Sequence, residues 1–130
     1  MNKIPGNGSG FIAAVGFAVN GLRLAFRHHP NIQRQLIIGV TAVVFGLVMK
    51  ISTIEWMILT VTITMVFLAE FMNTVIEEVV NLMTSEHHLQ AKVAKDVAAG
   101  MVLLTSIMSL IIGILLFGPK LIPYPLSLIP

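Results

Sequence analysis

The chain has 130 residues, of which 56% are apolar, with a mean hydropathy of +0.92 and a formal charge of only +2. So high an apolar share excludes an ordinary soluble domain and indicates an integral membrane protein, its length (1–130) suited to one all-α domain of a few helices. The absence of cysteine excludes disulfides and thiolate chemistry.

Residues 1–10 are rich in Gly and Asn and read as a mobile leader. No ordinary secretory signal is visible. Over 11–27, Phe11, Val15, Val19, Leu22 and Phe26 form one stripe and Asn20, Arg23 and Arg27 another, which predicts an amphipathic helix. It suits either an in-plane surface helix or one packed on the rest of the protein. His28-His29-Pro30-Asn31 breaks it, because proline lacks an N–H and biases its predecessor away from helix. A first span is expected at 32–51, with Arg34 snorkelling at its start. Lys50 to Thr53 make a short turn into an antiparallel second helix over 54–83, anchored at the interface by Trp56 and extending beyond the membrane. The segment 84–88 is the expected break. A third helix over 90–117 holds an uncharged run, 97–116, long enough to span. Gly118-Pro119 is expected to end it, leaving 118–130 as an irregular tail.

The predicted fold is thus an N-terminal surface helix plus three transmembrane helices, the second reaching into the cytoplasm. Three spans place the chain ends on opposite sides. Lys3, Arg23, Arg27, Arg34, Lys92 and Lys95 fall on one side, and only Lys50 and Lys120 on the other. The positive-inside rule then makes the N-terminus and the 84–96 region cytoplasmic. All the acids except Glu55 lie on that side too, so the cytoplasmic interface is the chemical end.

There is no GxxxxGK[ST] loop, HExxH, GxSxG or protein-kinase motif set, and Gly10, Gly16 and Gly21 match no phosphate cradle. His87-His88 reads as solvated loop histidines or as metal ligands. The stretch 69–81, AEFMNTVIEEVVN, is more informative. Glu70, Asn73, Glu77 and Asn81 recur at helical spacing on one face, over roughly 16 Å at ~1.5 Å per residue. No Lys or Arg on the same helix offsets them. Carboxylates at an apolar–water boundary can hold a divalent cation such as Mg²⁺, and one can take a proton from a hydroxyl. Lys95 and Asp96, at the mouth of the third span, add a partner for phosphate and an acceptor. The stripe is equally compatible with ordinary interfacial charges marking where helices leave the membrane.

EFMNTVIEEVVN (70–81) and AKDVAAGMVLL (94–104) resemble the two conserved blocks of the small prokaryotic diacylglycerol kinase and undecaprenol kinase family. FAVNGLRLAF, from Phe17, extends the similarity over most of the chain. The resemblance implies a homotrimer of three-span subunits in the bacterial cytoplasmic membrane, with no nucleic-acid partner. It implies transfer of the γ-phosphate of MgATP to the primary hydroxyl of a membrane lipid, undecaprenol or diacylglycerol, at the cytoplasmic interface. By position, Glu70 matches the general base and Glu77 a metal-binding glutamate. Asn73, Lys95 and Asp96 match residues that organise the site and hold phosphates. Glu86, His87 and His88 lie where the family contacts nucleotide.

Two positions depart from that pattern. Asn81 stands where the signature usually has Asp, and His29 where a second metal-binding Glu is usual. Each change removes a negative charge, and neutral His is a poor Mg²⁺ ligand. Two other readings follow: a catalytically impaired relative serving as a membrane scaffold, and an ion- or proton-conducting oligomer using Glu70. The second is disfavoured because nothing ionisable lies deeper in the spans. Thr60, Thr62, Thr64 and Ser106 are expected to satisfy their hydroxyls within their helices or between spans.

Overall fold

A computed structural model describes residues 10–83 and 88–122, which form four α-helices. They are α1 (Gly10–His28), α2 (Pro30–Val48), α3 (Thr53–Met83) and α4 (Leu89–Leu121). All four are long and apolar enough to cross a membrane, α1 included, although its spacing predicted a surface helix. α3 and α4 form the most extensive packed pair, α2 lies against α3, and α1 against α2.

The joint between α1 and α2 is a single extended residue, His29, at φ −109° and ψ 104°. The expected four-residue break contracts because Pro30 occupies the first turn of α2, where its missing N–H has no partner to lose. Gln33 seals the elbow. Its Nε2 donates to the carbonyls of Phe26 (3.0 Å) and Arg27 (3.2 Å), groups that the end of α1 would leave unpaired. α1 buries none of its residues, yet its end is docked: the Phe26 ring lies edge-on to Phe67 and Phe71, with centroids 6.0 and 5.9 Å away.

α2 ends at Val48, three residues before the predicted boundary, for a local reason. Lys50 adopts the left-handed conformation (φ 49°), its N–H bonds Leu47 O, and the Ile51 N–H reaches back to Gly46 O. This is a Schellman closure, which turns the chain and delivers Ile51 inwards. Ile51 is buried with Leu59 and Leu116, while Trp56 and Phe117 pack around them. Trp56, expected as an interface anchor, thus also lies against Gly46. A Cβ on Gly46 would come within 2.9 Å of the indole. α3 opens on a capping box: Glu55 Oε2 accepts from the Ser52 N–H, and Ser52 Oγ from the Glu55 N–H.

α4 corrects the expected end of the third span. It runs through Gly118 and Pro119 to Leu121, so the irregular tail does not begin at 118. A proline so near a helix end removes one bond and leaves few turns to disrupt. The Ile122 N–H still closes on Gly118 O, and Lys120 Nζ lies 3.0 Å from Glu55 Oε1. That ion pair ties the end of α4 to the start of α3. Gly10, expected as the end of the leader, is the first residue of α1; residues 1–9 and 123–130 lie outside the described residues.

Within the spans, Thr41, Thr60, Thr62, Thr64 and Thr105 donate to carbonyls four residues back. They thereby meet the requirement that a polar group in hydrocarbon be paired locally. Ser109 Oγ bonds Ser106 O.

Candidate active site

The polar stripe of α3 is turned inwards. Glu70, Asn73 and Thr74 are buried, at 4%, 5% and 9% exposure, while Met72, Val75 and Val79 of the same turns are exposed. In a chain whose surroundings are hydrocarbon this is the economical arrangement, because the apolar faces lose nothing outside and the carboxylates need shelter. Burial falls off along the stripe. Glu77 is half-buried and Asn81 exposed, as α3 leaves the packed region.

Two hydrogen bonds order these groups. Asn73 Nδ2 donates to Glu77 Oε1 at 3.1 Å, and Thr74 Oγ1 donates to the Glu70 carbonyl at 2.9 Å. A carboxylate only accepts, so Glu77 forces Asn73 to present its NH₂ on that side and its oxygen on the other. Asn73 Oδ1 and Glu70 Oε2 are both buried, and neither has a hydrogen-bond partner among the described residues. Two acceptors buried without donors, one helical turn apart, are costly unless something completes them. A hydroxyl or a cation has the chemistry to do so. Thr74 was missed from sequence, although its place four residues after Glu70 in a helix was the available signal.

Arg34 of α2 is the second residue absent from the expected site. At the start of α2, where it was expected to snorkel, its charge also acts on Glu70, as does that of Glu77. Arg34 Nη1 is steadied by Asn31 Oδ1 at 3.2 Å, a bond along one turn of α2. From α4, Lys95 reaches across to the stripe: its Nζ donates to Asn81 Oδ1 at 2.8 Å. Asp96, the next residue, is exposed. His29 is half-buried at the α1–α2 joint, and exposed His88 is the N-cap residue of α4. Glu86 and His87 lie outside the described residues. The structure therefore brings Glu70, Asn73, Glu77, Asn81 and Lys95 onto one line at one end of the α3–α4 pair.

Among the described residues no three His, Asp or Glu side chains gather as a protein-only metal cage. The donors that are present fit a hard cation all the same. Glu77 and the unpartnered oxygen of Asn73 beside it are oxygen ligands, and Mg²⁺ commonly takes one or two carboxylates and completes its shell with water and substrate phosphates.

A buried carboxylate, a half-buried one and a lysine lie together at one end of the helical bundle, and the comparisons give the class of protein that carries them: a lipid kinase. The family profile described as prokaryotic diacylglycerol kinase matches residues 16–117. The chain belongs to that family. It is 39% identical over 111 residues to an undecaprenol kinase of Bacillus subtilis, covering 85% of this chain and 90% of the relative. It is 30% identical over 108 residues to a diacylglycerol kinase of Escherichia coli, covering 81% and 88%. A diacylglycerol kinase of Synechocystis is 34% identical over 107 residues, covering 82% of this chain and 61% of the relative.

Proposed function

We propose that this chain transfers the γ-phosphate of ATP to the primary hydroxyl of a membrane lipid alcohol, undecaprenol ahead of diacylglycerol, at the cytoplasmic face of the bacterial inner membrane. The observation that carries the reading is the buried Glu70 carboxylate with an oxygen awaiting a donor, in line with Asn73 and Glu77. The order of substrates is supported by the higher identity to the undecaprenol kinase.

The lipid hydroxyl donates to Glu70 Oε2, which takes its proton as the hydroxyl oxygen bonds to the γ-phosphorus. The bond from that phosphorus to the bridging oxygen breaks, and ADP leaves. Because phosphoryl transfer needs chiefly alignment and charge neutralisation, the remaining residues position groups rather than react. Glu77, oriented by Asn73, is the principal metal-holding carboxylate, with His29 as the second candidate position. Mg²⁺ supplies neutralisation of the phosphate oxygens when bound. Lys95 and Asp96 face the phosphates, and Glu86, His87 and His88 are assigned to the nucleotide side.

In this reading the chain is one domain, α2, α3 and α4 span the bilayer, and α1 lies in the cytoplasmic interface with Arg23 and Arg27 towards water. That placement is supported by the six-to-two bias of basic residues and by the absence of any buried residue in α1. A homotrimer is proposed from the family resemblance alone; small residues such as Ala99 and Gly100 on α4 would allow close approach of another helix.

The test is transfer of labelled phosphate from ATP to each lipid by the purified protein in bilayers. Product with undecaprenol exceeding that with diacylglycerol is expected with Mg²⁺. No product with either lipid under Mg²⁺, Mn²⁺ or Zn²⁺ sinks the reading.

A further inference from the structure

Lys95 is held in place by an uncharged partner. Its ammonium donates to Asn81 Oδ1 at 2.8 Å, a bond joining the third-last residue of α3 to the seventh of α4. Asn81 stands four residues beyond Glu77, which itself stands four beyond Asn73, so the ammonium is fixed about one helical turn from Glu77. Lys95 is half-buried there, on a long stem that would otherwise sample many positions.

The chemistry of the acceptor matters. An ammonium has three N–H donors, and an amide oxygen takes one of them without bringing a formal charge. A carboxylate in the same place would orient the lysine equally well. It would also set a negative charge beside the ammonium and weaken the field felt by an approaching anion. Asn81 therefore separates orientation from neutralisation. Glu77, by contrast, already gives one oxygen to Asn73 and contributes negative charge to the same line. An oriented cation bonded to no carboxylate among the described residues, one turn from Glu77, suits a polyphosphate with its metal: the cation would meet phosphate oxygens, and the carboxylate the metal.

We propose that Asn81 is a positioning residue which presents Lys95 to the nucleotide phosphates with its charge undiminished, so that affinity for the polyphosphate is set through Asn81. The inference rests on the lipid kinase reading for the identity of that anion. Its test includes readouts that do not need turnover. Asn81→Asp and Asn81→Gln are compared with the parent, as full-length protein in nanodiscs. Asn81 is exposed, so neither change disturbs packing.

Three measurements are made. Competitive acylation of the Lys95 amine against pH, read by mass spectrometry without nucleotide, should show the midpoint raised in Asn81→Asp and unmoved in Asn81→Gln. Calorimetric binding of inorganic tripolyphosphate with Mg²⁺ should weaken about two- to fivefold in Asn81→Asp, the range of an exposed ion pair. KM for ATP should rise by the same factor with kcat unchanged, and Asn81→Gln should restore parental values. An unmoved acylation midpoint in Asn81→Asp overturns the clasp. A moved midpoint with unaltered tripolyphosphate binding overturns its role in phosphate affinity. If no lipid is phosphorylated at all, the function proposed above fails, while the acylation and binding results still decide this one.

Discussion

Replacing Glu70 by Gln separates chemistry from architecture better than any other single change. The two side chains are nearly the same shape, so the fit at a site only 4% exposed is preserved, while the capacity to take a proton is lost. General base catalysis contributes roughly 10²- to 10⁴-fold, and kcat should fall by that factor. Stability should move the other way or not at all. A buried carboxylate with Oε2 unpartnered carries a desolvation cost when ionised, and a neutral amide carries less, about 1–3 kcal/mol for a polar group left unsatisfied. The assay is single-turnover transfer of labelled phosphate in nanodiscs, alongside calorimetric ATP binding and thermal unfolding. The expected pattern is transfer lost, ATP binding kept, melting temperature unchanged or higher. If Glu70→Gln retains more than about a tenth of parental kcat, the proton goes elsewhere and the assignment is wrong. A fall in activity matched by a lower melting temperature would mean instead that Glu70 holds the helices together.

Four further outcomes follow from the packing. Gly46→Ala places a methyl 2.9 Å from Trp56 and 3.0 Å from Ile51, so overpacking of about 1–3 kcal/mol should outweigh the gain in helix propensity. Gly100→Ala meets nothing within 4 Å and should stabilise slightly; the fluorescence of Trp56, the chain's single tryptophan, reports both, and equal unfolding midpoints would refute the close approach. Phe26→Ala removes two edge-on ring contacts worth about 0.5–1.5 kcal/mol each, so amide exchange should accelerate in α1 and not in α4. Asn73→Asp turns the donor facing Glu77 into a second carboxylate and should lower kcat roughly tenfold or more, the worth of a hydrogen bond to a charged group; unchanged kcat would show that Asn73 does not orient Glu77.

Much of the architecture was legible because hydrocarbon imposes simple demands. Long apolar runs must be helices, and their ends must lie near polar residues, so α3 and α4 were bounded to within a few residues at most termini. The polar stripe was legible for the same reason, since carboxylates at Glu70 and Glu77 violate the apolar rule and helical spacing puts them together. The misses were at helix ends. The Schellman closure at Lys50 and the passage of α4 through Pro119 depend on who receives each backbone N–H, and the hydropathy pattern carries little of that. The capping box at Ser52 and Glu55 was readable as S-x-x-E and was overlooked.

By itself, then, the sequence determined that the chain is a helical membrane protein, which helix carries the polar stripe and which family it joins, because composition and spacing act locally. Tertiary structure decided which way that helix faces and what each polar atom meets. The packing of the helices buries Glu70, brings the charge of Arg34 to bear on it and fastens Lys95 to Asn81, since the last two join residues far apart in the chain and exist only when the helices are side by side.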